Sequence, residues 1–364
     1  MNGAPGATPA EAERAAADLA AWEAFLRRTP AGQFQQAAGW ARAKQSEGWQ
    51  CARVVRTADG SVTGGCQLLW RHTHIGRVGY VSKGPVIAEP GGGREAALLT
   101  DLLALARNCR LTALVIQPPD HQPHWGELLR PRGFAPNRIT KVIDASLSAD
   151  LTGPPGAWEA RLRSDRRREA RLARERGCAI RTGGPGDAAE FFALMCQTCA
   201  RQGVPPNPST ATAFAALVAG FAPAGEARLA FATCGGETVA AGFTLRFGAR
   251  STFCKRAWNG AHAAAKPNVL ITHDLMAAAA AQGCTEFDFA GVERALAENL
   301  LAGRPPTPAQ LRHYDTAKLG FGGQPRLLPP AWIYFRQPWW RFAYRHAVAR
   351  PWLAARLQAL ARGV

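Results

Sequence analysis

Pro267-Asn268-Val269-Leu270 opens a helical run, which Gly283-Cys284-Thr285 closes. Glu286-Phe287-Asp288-Phe289 then reads as a buried strand, and Ala290-Gly291-Val292 as a small-residue turn. After an insertion, Tyr314-Asp315-Thr316-Ala317-Lys318-Leu319-Gly320-Phe321-Gly322-Gly323 sets a lone lysine in a glycine-rich, aromatic stretch. Helix, strand and small-residue turn in succession are the grammar of an α/β domain. In such folds ligand sites gather at strand ends.

Working outward, residues 227–233, 238–247 and 251–255 read as a β-meander before that helix. Before the meander, residues 178–181 form a strand, Gly183-Gly184-Pro185-Gly186 a turn, and Asp187 the cap of a helix over 188–201. The first half has the same order. Helices are expected over 11–28 and 38–45. Strands follow over 51–56, 64–71 and 78–81, with Ala58-Asp59-Gly60-Ser61 as a hairpin turn. A helix over 95–108 and a strand over 113–117 complete that half. Meander, helix, strand in both halves implies an internal duplication. Domains are expected over 1–145 and 146–325, the second opened by a basic helix over 158–176. The tail over 326–364 has no acidic residue and alternates Trp332, Tyr334, Trp339, Trp340, Tyr344 and Trp352 with arginines. Pro338 and Pro351 should divide it into short helices. It should pack on the first domain, rest on a membrane surface, or do both.

The chain has 364 residues, 47% hydrophobic and 20% charged, a globular balance that suits two domains. A net charge of +17 favours polyanionic partners: nucleic acid, phosphorylated substrates or an acidic membrane. Arginine supplies most of the excess, and many arginine codons are GC-rich, so a GC-rich genome is an alternative source of part of the bias. No apolar run reaches the length of a membrane span, and no signal peptide opens the chain. The nine scattered cysteines suit a reduced, cytosolic protein with buried thiols. Cys196-Gln197-Thr198-Cys199 has redox spacing but falls inside a helical pattern, away from a helix N-terminus that would favour a thiolate.

Several motifs in order resemble the Fem-type aminoacyltransferases. They are Gln33-Phe34-Gln35-Gln36 with Trp40-Ala41-Arg42-Ala43-Lys44, then Tyr80-Val81-Ser82-Lys83-Gly84-Pro85-Val86, then the basic residues 163–176. Thr198 to Gly203 and the 267–323 section follow. The resemblance spans residues 33–325. It implies two tandem acetyltransferase-like (GNAT-fold) domains, α/β with mixed central sheets and flanking helices. It implies transfer of an amino acid from aminoacyl-tRNA to an amine of a peptidoglycan precursor, without redox or metal cofactor. Lys318 then matches the family's catalytic lysine, with Ala317 where an aromatic residue is common. Lys44, Trp40, Lys83, Arg201, Asn207 and Asp288 fall at substrate-binding positions. Asn207 and Ala211 replace an arginine and a tyrosine that bind nucleotide-linked precursors in some members. Gln117-Pro118 replaces an acidic residue before proline, leaving Asp120 as the nearby carboxylate.

Independently of the resemblance, lysine is a point charge suited to phosphate, and a cation in a dry site stabilises an oxyanion. The arginines of the basic helix, Arg163, Arg166, Arg167, Arg168, Arg171 and Arg174 among them, suit a tRNA backbone; a solvated, salt-bridged face is the plain alternative. Arg181-Thr182-Gly183-Gly184-Pro185-Gly186 has the spacing of a CoA phosphate loop. Pro185 lacks an N–H, however, and Asp187 puts negative charge where phosphates would sit. His72/His74 and His121/His124 lack further ligands for a metal. The competing readings are a CoA-dependent N-acyltransferase, a same-fold enzyme acting on a small-molecule amine, and a non-catalytic binding module.

Overall fold

The computed structural model describes residues 9–120, 122–140, 142–311, 315–348 and 350. Tyr314, His121, Pro351 and Trp352, singled out above, lie outside the described residues. The chain forms two compact units. One comprises Met1–Ala41, Gly48–Lys141 and Pro329–Val364; the other comprises Arg42–Glu47 and Val142–Leu328.

In the first unit, β1 (Gln50–Ala58), β2 (Ser61–Thr73) and β3 (Gly76–Ser82) form an antiparallel meander. Asp59 and Gly60 both adopt positive φ at the first turn, as a tight two-residue hairpin requires. The short β4 (Val86–Ile87) returns to β2. Helix Arg94–Asn108 buries Leu98, Leu99, Leu102 and Ala106 along one stripe. It leads into β5 (Ala113–Gln117), parallel to β3 and buried at every position, the mark of a strand covered on both faces. Beyond β5 the sheet continues with Trp332–Phe335, which pairs antiparallel with β5 and with β6 (Ala135–Pro136). This corrects the expected run of short helices: Trp-Ile-Tyr-Phe is a strand sequence, and the helix begins only at Pro338.

In the second unit the sheet order is β13-β7-β12-β11-β10-β9-β8. Its strands are β7 (Ala145–Asp150), β8 (Cys178–Gly183), β9 (Ala227–Cys234), β10 (Glu237–Phe247), β11 (Arg250–Trp258), β12 (Glu286–Gly291) and β13 (Gln324–Leu327). Again three antiparallel strands (β9 to β11), a helix and a parallel strand (β12) follow one another. The helix, Pro267–Ala281, is apolar almost all round and buries Val269, Leu270, Ile271, Leu275 and Met276. Thus β7 occupies beside β12 the place that Trp332–Phe335 takes beside β5. Each sheet is completed by a strand remote in sequence from its meander.

Two further expectations are corrected. The basic helix is broken: Ala157–Ala160 ends early, and Ser164–Glu175 restarts after Arg163. Arg163 is extended there, and its N–H donates to Gly320 O at 2.9 Å. The cysteines are not all free thiols, since Cys178 and Cys234 form a disulfide. Antiparallel pairing of β8 with β9 sets the two directly opposite each other, a relation that their 56-residue separation conceals.

Candidate functional site

The site of the second unit arises from a gap in its sheet. Pairing of β11 with β12 covers only Arg250↔Glu286, Ser251↔Phe287 and Thr252↔Asp288. Immediately after, the register of β11 against β10 slips, so that Phe253 faces Thr244, Lys255 faces Phe243, and Cys254 is a bulge. A bulge bends its strand and ends regular pairing. On the other side, Ala290 takes a positive φ. Asp288 supports that turn: its Oδ1 accepts the Ala290 N–H at 2.8 Å, and Ser146 Oγ is shared between this carboxylate and Ala290 O. The diverging ends of β11 and β12 wall a cavity of about 710 Å³.

Lys318 stands in that cavity on the short helix Asp315–Leu319. Its Nζ donates to Gly291 O at 2.6 Å and lies 2.7 Å from Asp315 Oδ1. Asp315 is itself buried, and its other oxygen accepts the Glu293 N–H at 3.3 Å. Burial holds the Lys318 pKa below the usual lysine range, Asp315 opposes the shift, and Arg256 adds to it. The loop behind the lysine has no spare room. A Cβ at Gly320 would come within 2.9 Å of the Arg166 side chain.

Arg201 and Asn207 line the same cavity. Arg201 lies over the Trp258 ring at 5.4 Å and also donates to Trp258 O. Lys255 and Arg256 complete a set of four cations lining the cavity, with no carboxylate among its described lining residues. Neither stands out in the sequence. A Lys-Arg pair in a strand carries no signal until the bulge beside it is known. Cys199 and Cys254 also line the cavity. Burial pushes the Cys254 thiol up to about 12 and raises that of Cys199, so neither is a ready thiolate nucleophile.

The remaining expected substrate residues lie elsewhere. Asp288 is not a lining residue; it is 7% exposed and supports the turn from below. Lys44 ends helix Ala38–Gln45 and pairs with Glu47 at 2.5 Å. Both are close enough to Lys255 to influence its charge, Lys44 opposing it and Glu47 favouring it. In the first unit Trp40 packs edge-on against Phe34 at 5.5 Å. Lys83 is 5% exposed, in an ion pair with Asp120 at 2.7 Å. Gln33 Nε2 donates to the other Asp120 oxygen at 2.8 Å, and Asp120 N–H donates back to Gln33 at 3.2 Å. Lys83 and Asp120 are thus already committed to each other, which argues against Asp120 as an available base.

Of the six arginines expected to meet tRNA, Arg163, Arg167, Arg168, Arg171 and Arg174 are exposed. Arg166 is the correction. It is half-buried, packs against Gly320 and pairs with Glu169 at 2.6 Å, so it also supports the Lys318 loop. Arg181 of the CoA-like turn pairs with Asp187 at 2.9 Å and Glu190 at 2.5 Å. Asp187 also accepts the Gly184 N–H at 2.7 Å, filling from within the position a phosphate would need. Among the described residues no three His, Cys, Asp or Glu side chains gather to hold a metal.

Comparison with known proteins follows the two units. Residues 19–125 match the FemAB family, and residues 160–296 match an acetyltransferase (GNAT) domain. The crystal structure of FemX is similar over 89% of this chain and 98% of its own, at 17% identity and a TM-score of 0.73. A tandem GNAT protein from the clavulanic acid biosynthesis pathway is similar over 90% of this chain and 96% of its own, at 13% identity and a TM-score of 0.54. The C-terminal domain of a lysylphosphatidylglycerol synthetase from Agrobacterium fabrum covers 92% of this chain and 96% of its own, at 10% identity and a TM-score of 0.52. At these identities the structural likeness establishes two tandem GNAT-like sheets. No curated protein matches the sequence.

Proposed function

We propose, from the match of residues 19–125 to the FemAB family and the two GNAT-like sheets, that this chain transfers an aminoacyl group from charged tRNA to an amine of a peptidoglycan precursor. The observation that carries the reading is Lys318, held by Asp315 and Gly291 in the gap between β11 and β12. The acceptor amine attacks the ester carbonyl of the aminoacyl group. A C–N bond forms, the C–O bond to the ribose breaks, and the amine's proton leaves with the ribose oxygen. Negative charge builds on the former carbonyl oxygen during attack. A lysine whose side chain is only 11% exposed stabilises that charge more than it would in bulk water. The raised thiol pKa values favour direct attack over a cysteine-bound intermediate.

The exposed arginines from Arg163 to Arg174 offer the donor's phosphates a positive face. No described helix is long and apolar enough to cross a membrane. Helix Pro338–Val348 turns Tyr344 and Ala347 inward and leaves Trp339 58% and Phe342 67% exposed, beside exposed Arg336 and Arg345. That composition suits the headgroup layer of an anionic membrane, where a lipid-linked acceptor would be met. A CoA donor is disfavoured by Asp187, which occupies the turn its phosphates would use. The test is to incubate the protein with a pool of charged tRNAs and candidate amines and follow loss of each aminoacyl ester. Amine-dependent loss supports the proposal. Ester loss indifferent to every amine, alongside turnover of acetyl-CoA, would replace it.

A further inference from the structure

The four cations lining the cavity are answered differently. Lys318 has Asp315 at 2.7 Å. Arg201 lies over Trp258 and donates to its carbonyl oxygen. Arg256 is close enough to Lys318 to depress its pKa. Lys255 makes neither an ion pair nor a hydrogen bond among the described residues. Burial lowers its pKa and the Lys44 charge adds to that, while Glu47, which would favour its charge, is engaged with Lys44. A lysine so placed is costly to keep charged unless something else brings negative charge. The bulge at Cys254 sets it on the wall of the open gap rather than in the regular sheet.

We infer that Lys255, with Arg256 beside it, binds an oxyanion of the acceptor, a phosphate or a carboxylate carried by the molecule whose amine is acylated. This rests on the reading of the cavity as the acceptor's site. Such a contact fixes the acceptor by a group that does not react. It leaves Lys318, already supported by Asp315, for the charge that develops at the carbonyl. Lys255 is therefore a positioning and specificity-determining residue.

The test is calorimetric titration of the full chain at low salt with two probes, inorganic pyrophosphate and an N-acetylated dipeptide with a free C-terminal carboxylate. Binding of the first identifies a phosphate ligand, and binding of the second a carboxylate. In either case Lys255→Met is expected to weaken binding about 10–100-fold, the loss of one charge-assisted contact, and Lys255→Arg to keep most of it. Lys255→Met is expected to melt no lower than the parent, because it removes an unpaired charge; a purely structural lysine would lower the melting temperature. In the transfer assay its KM for the acceptor is expected to rise while kcat at saturation holds. Failure of both probes to bind the parent protein, or equal binding by Lys255→Met, would overturn the inference. Because the titrations use no donor, their outcome is independent of whether aminoacyl transfer is the reaction.

Discussion

The parallel strand pairs of the two units share a topology but end differently. In the first unit β3 and β5 stay paired over five residues, from Val78↔Ala113 to Ser82↔Gln117. Just past that end, Lys83 and Asp120 close on each other in a buried ion pair. In the second unit β11 and β12 pair over three residues and part at a bulge, and lysines line the resulting gap. The same arrangement is thus closed by a buried ion pair in one unit and open as a cavity in the other. The two differ in how far the parallel ladder runs and in the lysine within or just past the first strand of the pair, since Lys83 has a carboxylate partner and Lys255 has none among the described residues.

The strongest way to break this contrast is Asp120→Ala. Removing one partner of a buried pair leaves Lys83 charged and unmatched, at an expected cost of about 3–5 kcal/mol in urea unfolding. Replacing both, as Lys83→Met with Asp120→Leu, should cost less than the single change. A loss below about 1 kcal/mol for Asp120→Ala would mean that the first unit's lysine is not structural.

Asp315→Asn sharpens the second half of the contrast. Asp315 raises the Lys318 pKa against the lowering caused by burial. Without it the lysine loses its proton at lower pH, so the alkaline limb of the rate profile should move towards acid. An unmoved limb would mean that the Lys318 charge is not what the reaction uses.

Smaller effects are expected at the surface. Changing Arg168, Arg171 and Arg174 together to Gln should flatten the slope of log affinity for charged tRNA against log salt by about 2–3. An unchanged slope would remove this face from the donor site. Changing Trp339 and Phe342 to Ala should reduce co-sedimentation with anionic vesicles several-fold and leave the weak binding to neutral vesicles unchanged. Equal, negligible binding of the parent to both kinds of vesicle would leave the helix a packing role alone.

The tandem plan was legible because periodicity and turn chemistry are local. Meander, helix and strand could be read twice along the chain. The strands that complete each sheet were harder. Ala145–Asp150 looked like a domain junction and Trp332–Phe335 like part of a helical tail, because strand partners so remote leave no local trace. The site divides in the same way. Lys318, Arg201 and Asn207 sit in motifs with recognisable spacing, and they share one cavity. Lys255 and Arg256 owe their place to a bulge, and Arg166 owes its burial to Gly320, neither of which a linear reading exposes.

The Lys318 charge in the second unit's gap is assigned to reaction. Single-turnover transfer by Lys318→Met, set beside its melting temperature, tests that most directly. The substitution keeps the aliphatic stem and removes the charge. The expected result is a rate about 10²–10³-fold lower, with some loss of melting temperature because Asp315 is left buried without its cation. A folded variant that transfers at the parent's rate would contradict the assignment of Lys318 to the chemistry.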